Sequence, residues 1–363
     1  MSGTATATIN LRALQSNLQI VQRHCPKQKI IAMIKADAYG HGLVPVANAL
    51  KDVSAFGVAN IEEALHLREA KVAHRIILNS GVDRGEELLT ASQMRLDCVV
   101  HSQYQIDMLK KMELRYPVNI WLKIDTGMNR LGVRSEEAAA VFAALQSLPQ
   151  VGQIYAMTHL ACAEDLQHSL TQQQLDCFAV VTKMMAVEKS IARSAAILAW
   201  PKSHADWVRP GIMLYGGSPL LGKTAASLQL AAVMRFTAPI IALRLIKQGE
   251  SVGYGATWVA DSDRLVGVVA VGYGDGYPRA ASNLAEVFVL TQSGQTGVKA
   301  KVIGRVSMDT IVIDLQGVKD VKVGDTVELW GSHLAVDAVA NKMGAISYEL
   351  LTGVSARVKR VYA

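Results

Sequence analysis

Residues 29–42 read Lys29-Ile30-Ile31-Ala32-Met33-Ile34-Lys35-Ala36-Asp37-Ala38-Tyr39-Gly40-His41-Gly42. The unbroken apolar run predicts a buried strand over 30–35, of the kind found in parallel sheets. The residues after Lys35 read as a tight turn. Lys35 closes the run, where a charged ammonium is costly unless it is paired or neutralised. Burial lowers a lysine's pKa, and a neutral lysine is a nucleophile able to form a Schiff base. The last residue of a barrel strand also points into the mouth where (β/α) barrels hold their chemistry. A lysine snorkelling out of a strand end has the same local pattern, so Lys35 must be read with its neighbours.

Outward from this stretch the pattern repeats. Asn10 reads as an N-cap, with Leu11, Leu14, Leu18 and Val21 recurring at helical spacing. Further strand-like runs follow at Ala55–Ala59, Arg75–Asn79, Asp97–Val100, Val118–Ile124, Gln153–His159, Ser190–Ser194 and Trp207–Arg209. Amphipathic stretches such as Ile61–Ala70 and Ser135–Leu148 separate them. With the opening strand this makes eight βα units, the pattern of a (β/α)₈ barrel of the TIM type. A doubly wound sheet is the alternative, but no Gly-x-Gly-x-x-Gly opens a helix after the first strand.

Past residue 230 the pattern changes to strands with short turns. Ile240–Leu245, Leu265–Val271, Val287–Leu290, Val302–Ile303, Thr310–Leu315 and Thr326–Trp330 are punctuated by Gly272, Gly274, Gly276, Gly294, Gly304, Gly317 and Gly324. One helix is expected near Ala335–Lys342. The division predicted is a barrel domain over 1–230 and a mainly β domain over 231–363.

Composition narrows the class. Half of the 363 residues are hydrophobic, enough for a sizeable core, yet no apolar run approaches the roughly 20 residues of a membrane span. The start, Met1-Ser2-Gly3-Thr4-Ala5-Thr6, has no basic region followed by an apolar core, so no signal peptide is expected. Cys25, Cys98, Cys162 and Cys177 are scattered without paired or metal-like spacing, which favours reduced thiols and a cytoplasmic setting. The net charge of +6 is dispersed, with no basic arm, so nucleic-acid binding is not expected. His41, His66 and His74 are too scattered to suggest a metal site.

Five segments resemble motifs of bacterial alanine racemases, enzymes that use pyridoxal 5′-phosphate (PLP). They are Lys35–Gly42, Lys123–Gly132, Arg209–Gly216, Val252–Trp258 and Gly304–Asp309, in the family's order and spread over nearly the whole chain. The family fold, a (β/α)₈ barrel followed by a β domain, agrees with the independent reading. The resemblance implies that Lys35 carries PLP as an aldimine. Tyr39, Ser194, Gly211, Ile212 and Tyr348 would hold its phosphate, in keeping with the usual barrel phosphate site after strands seven and eight. Arg209 would face the pyridine nitrogen, oriented by His159. A guanidinium stays protonated and cannot hand that nitrogen a proton, so the ring would be a weaker electron sink. Arg130 would contact the cofactor's phenolic oxygen and the substrate. Lys123 matches a position that is carbamylated in several relatives. Arg193, before Ser194, departs from the smaller or amide residue common there; it either adds charge near the phosphate or points away.

Racemisation needs an acid and a base on opposite faces of the α-carbon. The resemblance assigns the second group to Tyr254, in the β domain, reaching the partner's barrel within a homodimer. Met308, Asp309 and Tyr273 would arrive with it, Met308 at the substrate carboxylate and Tyr273 narrowing the entry. The implied activity is interconversion of L- and D-alanine, supplying D-alanine for peptidoglycan. A broader-specificity racemase is the first alternative and a PLP-dependent decarboxylase the second. Decarboxylases on this architecture usually pair the pyridine nitrogen with a carboxylate, which Arg209 argues against.

Overall fold

A computed structural model describes residues 4–291 and 297–363; Met1–Gly3 and the expected turn at Gly294 lie outside the described residues. Eight parallel barrel strands, with the two-residue strand Val133–Arg134 added beside the fifth, make up the first sheet: Lys29–Met33, Ala55–Val58, Arg75–Leu78, Asp97–Val100, Val118–Asp125, Val151–Met157, Lys189–Arg193 and Trp207–Arg209. Each pairs with the next, and the last returns to the first through Trp207 opposite Lys29, which closes a barrel. Ile31, Phe56, Ile77, Leu78, Val99 and Trp121 are buried in these strands, as expected where both faces of a parallel sheet are covered. Helix Leu11–His24 starts where predicted: Asn10 Oδ1 accepts from Ala13 N at 2.9 Å. Asn17, fully buried on that helix, donates to the carbonyls of Leu214 and Ala231 and accepts from Ala231 N, tying the helix to the end of the barrel.

The second sheet is mainly antiparallel. Its six central strands are Met234–Ile246, Arg264–Val269, Glu286–Leu290, Val298–Ile303, Ile311–Asp314 and Thr326–Trp330. Two further strands come from the chain ends. Thr6–Ile9 runs antiparallel to Met234–Ile246 and parallel to Lys359–Tyr362. Neither had been predicted, since each is four residues long and owes its place to pairing rather than to an apolar run. Helix Val336–Lys342 matches expectation, and a second helix, Ser347–Gly353, follows it and carries Tyr348.

The first barrel strand ends at Met33, two residues earlier than the apolar run suggested. Lys35 instead opens a turn in which Ala36, Asp37, Ala38 and Tyr39 all have φ between 51° and 54°. Left-handed backbone costs about 1–2 kcal/mol for each L-residue with a Cβ, so the surroundings must hold this turn firmly. Ala36 N donates to Glu63 Oε1 at 2.6 Å and Leu43 N to Asp37 Oδ1 at 2.7 Å. His41 Nδ1–H donates to Tyr39 O at 2.8 Å, and Arg360 Nε to Gly40 O at 2.9 Å. Gly40 is required on two counts. Its φ is +80°, and a Cβ there would lie 2.1 Å from Leu351 O. The turn is thereby fitted against the helix that carries Tyr348.

Candidate active site

A cavity of about 500 Å³ opens at the C-terminal ends of the barrel strands, a size suited to a small-molecule site. Lys35 lies in its wall, half-buried. Burial, then the nearby Arg130, pull its ammonium below the usual lysine range, while Glu63 opposes them. Glu63 also sets the position of this lysine. Its two oxygens accept from Ala36 N and Ala59 N, at 2.6 and 2.7 Å, joining the ends of the first two strands beneath the amine. Asn60-x-x-Glu63 resembles a capping box, which is the one sequence signal that marks Glu63.

Hydroxyls and amides gather in one corner of the same cavity. Tyr39 is buried and stacked on Tyr215, with ring centroids 4.6 Å apart. Ser194 opens the short helix after the seventh strand, and its Oγ accepts from Gly211 N at 2.8 Å. Gly211, expected to offer its N–H to a phosphate, lines the same cavity and gives that N–H to Ser194. A Cβ on Gly211 would lie 2.5 Å from Tyr39 Oη, so the glycine keeps this corner open. Ile212 and Tyr348 complete the same corner. Arg193 lines it as well. Its guanidinium is ion-paired with Glu164 and donates through Nε to Leu160 O at 3.0 Å.

Arg209, buried at the end of the eighth strand, is held by three acceptors. Nη1 donates to Ser190 Oγ at 2.5 Å, and Nη2 donates to Thr158 O at 2.6 Å and Ile191 O at 3.1 Å. Expectation had assigned this orienting task to His159. The imidazole lies in the cavity wall, but no hydrogen bond joins it to Arg209 among the described residues. Burial and the Arg209 charge hold His159 neutral. Ser190 was missed because its role depends on strand register, which no local motif encodes. Burial and Arg193 bring Arg209 down to about 10, still charged at neutral pH. No described carboxylate forms an ion pair with it.

Lys123 and Arg130 finish the cavity's cationic lining. Burial, then Arg209, Arg130 and Lys35, bring Lys123 down to about 8. Thus Lys35, Lys123, Arg130, Arg193 and Arg209 surround one space, offset in part by Glu63 beside Lys35, Asp125 beside Lys123, Glu349 and the Arg193-bound Glu164. Such a wall favours an anionic ligand. Four expected residues are absent from this wall. Tyr254 (72 % exposed), Tyr273 (45 %), Met308 (52 %) and the exposed Asp309 sit on the β domain's surface.

Residues 9–219 match the alanine racemase N-terminal domain and residues 233–362 the C-terminal domain. The chain belongs to the alanine racemase family. An alanine racemase of Aeromonas hydrophila is 45 % identical over 359 residues, 99 % of each chain. The biosynthetic alanine racemase of Pseudomonas aeruginosa superposes with a TM-score of 0.95 at 42 % identity, covering 99 % of each chain. The alanine racemase of Bartonella henselae, solved with covalently bound pyridoxal phosphate, gives a TM-score of 0.88 at 31 % identity, again over 99 % of each chain.

The Lys123 charge carries a measurable cost. In the unfolded chain this amine titrates near 10.4, so between about 8 and that value the folded chain binds fewer protons. Stability should rise with pH across that window, and the full penalty applies below it. A fall from 10.5 to about 8 corresponds to about 3 kcal/mol. Lys123→Met should therefore stabilise the cofactor-free protein by about that much at pH 7 in CO₂-free buffer. The gain should shrink as pH rises from 8 to 10.5, as read by urea denaturation. A gain independent of pH would contradict the assignment.

Proposed function

We propose that this protein interconverts L- and D-alanine with PLP, using Lys35 and the partner subunit's Tyr254 as the two proton-transferring groups. The observation that carries the reading is Lys35, its pKa lowered, in a cavity that also holds a hydroxyl-rich corner and a carboxylate-free Arg209. The donor set fits the cofactor. Tyr39, Ser194, Ile212 and Tyr348 would hold the phosphate in the corner that Gly211 keeps clear, Lys35 would hold the cofactor through Nζ, and Arg130 would meet the phenolic oxygen. When bound, PLP supplies an electron-withdrawing ring that stabilises charge on the α-carbon.

The protein's own groups then set the outcome. Lys35 Nζ holds or takes a proton on one face of the α-carbon, and Tyr254 Oη does so on the other. Arg209, fixed by Ser190 and two carbonyls, would hold positive charge beside the pyridine nitrogen without surrendering a proton, which would limit electron withdrawal and disfavour side reactions. That same feature speaks against the decarboxylase reading. The exposure of Tyr254, Tyr273 and Met308, away from their own cavity, supports a homodimer with shared sites. On this reading residues 1–230 hold the cofactor, and residues 231–363 complete the partner's site with Met308, Asp309 and Tyr273.

No helix among the described residues is long and apolar enough to cross a membrane. We place the protein in the cytoplasm, where it supplies D-alanine for peptidoglycan. Lys123, partly neutral near pH 8, is suited to react with CO₂; the carbamate would brace Arg130 as an anion. A ¹³C carbamate signal from labelled bicarbonate, lost in Lys123→Met, is the expected sign, and an unchanged signal would refute it.

The function is tested by two variants. Lys35→Ala should lose both the lysine-bound cofactor absorbance and the activity; a coloured, active variant would refute the assignment. Tyr254→Phe should slow α-proton loss from one enantiomer at least about 100-fold more than from the other. Equal, mild losses in exchange from both enantiomers would contradict the two-base scheme.

A further inference from the structure

Tyr273 and Met308 sit on two turns that are locked into one body. Tyr273 N donates to Ser307 O at 3.0 Å and Gly274 N to Met308 O at 2.9 Å. A Cβ on Gly272 would lie 2.3 Å from Met308 O, so the two backbones touch without room for a side chain. Asp275 closes the first turn, its Oδ2 accepting from Gly272 N at 2.8 Å. Its other oxygen accepts from Arg357 Nε, also at 2.8 Å. Arg357 Nη2 then reaches the second turn, donating to Asp309 Oδ1 at 2.8 Å and Met308 O at 3.4 Å. One guanidinium thus spans both turns. A third link runs from Ser355 N to Asp275 O at 3.0 Å, just beyond the helix that carries Tyr348.

We propose that Arg357 is a positioning residue for substrate: it fixes the spacing of Tyr273 and Met308, and so shapes the alanine pocket of the partner subunit. The proposal rests on the shared-site reading above. Arg357 is well suited to this task because its planar fork meets two carboxylates and a carbonyl at once, which a lysine's single ammonium cannot. Its pair with the exposed Asp309 lies at the surface, where such pairs add little to stability, whereas Asp275 is buried and anchors the guanidinium. The reach from this buried anchor to Asp309 and Met308 O sets the spacing of the two turns. Asp309 acts through this arginine, since its Oδ1 is committed to it.

The test separates positioning from folding, and one subunit from the other. In the holoenzyme homodimer, Arg357→Ala should raise KM for alanine about ten-fold, with kcat changed less than about three-fold, because misplacing a pocket wall weakens substrate orientation. Arg357→Lys, which keeps the charge but loses the fork, should fall between and covers the case in which the alanine variant fails to fold. An unchanged KM in both variants, or a fall in kcat and Tm with KM constant, would overturn the proposal. A dual-tagged hybrid then joins a Lys35→Ala subunit to an Arg357→Ala subunit. Its one working lysine faces a wall from the subunit with Arg357 intact, so KM should return to the wild-type value. A hybrid KM as high as that of the Arg357→Ala homodimer would show Arg357 acting within its own subunit. That result would overturn both the shared-site reading and the proposal.

Discussion

The site depends on a lysine amine carried on backbone that would not adopt its shape unaided. Four consecutive residues after Lys35 stand in the left-handed region, and the turn persists because its polar groups are met from several elements. Glu63 receives Ala36 N from the next βα unit, Asp37 caps Leu43, and Arg360 from the last strand holds Gly40 O. The constraint is useful because it places Lys35 and Tyr39, at opposite ends of one tight turn, on the wall of one cavity. An ordinary right-handed turn would aim the two side chains differently. The strain is concentrated where the chemistry is, as expected when surrounding structure over-determines a functional segment.

Charge is the second organising constraint. Five cationic side chains line a cavity with few acids to balance them, and each lowers the tendency of its neighbours to hold a proton. Burial first, and then this repulsion, brings Lys35 and Lys123 below the usual lysine range. A dianionic phosphate and a substrate carboxylate would relieve it, so the same arrangement that destabilises the empty cavity favours its ligands. Arg209 stands apart because carbonyls and a hydroxyl, rather than a carboxylate, hold it. Its charge is directed into the cavity instead of being neutralised within the wall.

Much of this was legible in the sequence. The eight apolar runs with helical spacing between them announced the barrel, because parallel strands buried on both faces leave a strong signal. The residues Lys35, Tyr39, Lys123, Arg130, His159, Ser194, Arg209, Ile212 and Tyr348 were named from motifs and do line one cavity. Contacts made by register and distance leave no local signal in the sequence. Ser190 meets Arg209 across strands, and Glu63 reaches back to Ala36 from another unit. Thr6–Ile9 is a strand because it pairs with Met234–Ile246 on one side and with Lys359–Tyr362, at the sheet's edge, on the other. Arg357 carries no motif of its own, and its meaning lies in the two turns it joins.

The account stands or falls on whether this cavity inverts alanine. The most direct measurement is D-alanine formation from L-alanine by the PLP-loaded protein, run beside a panel of larger amino acids. The account predicts rapid inversion of alanine and little of bulky substrates, since Tyr273 narrows the entry. Absence of D-alanine, or equal turnover across the bulky amino acids, would contradict it.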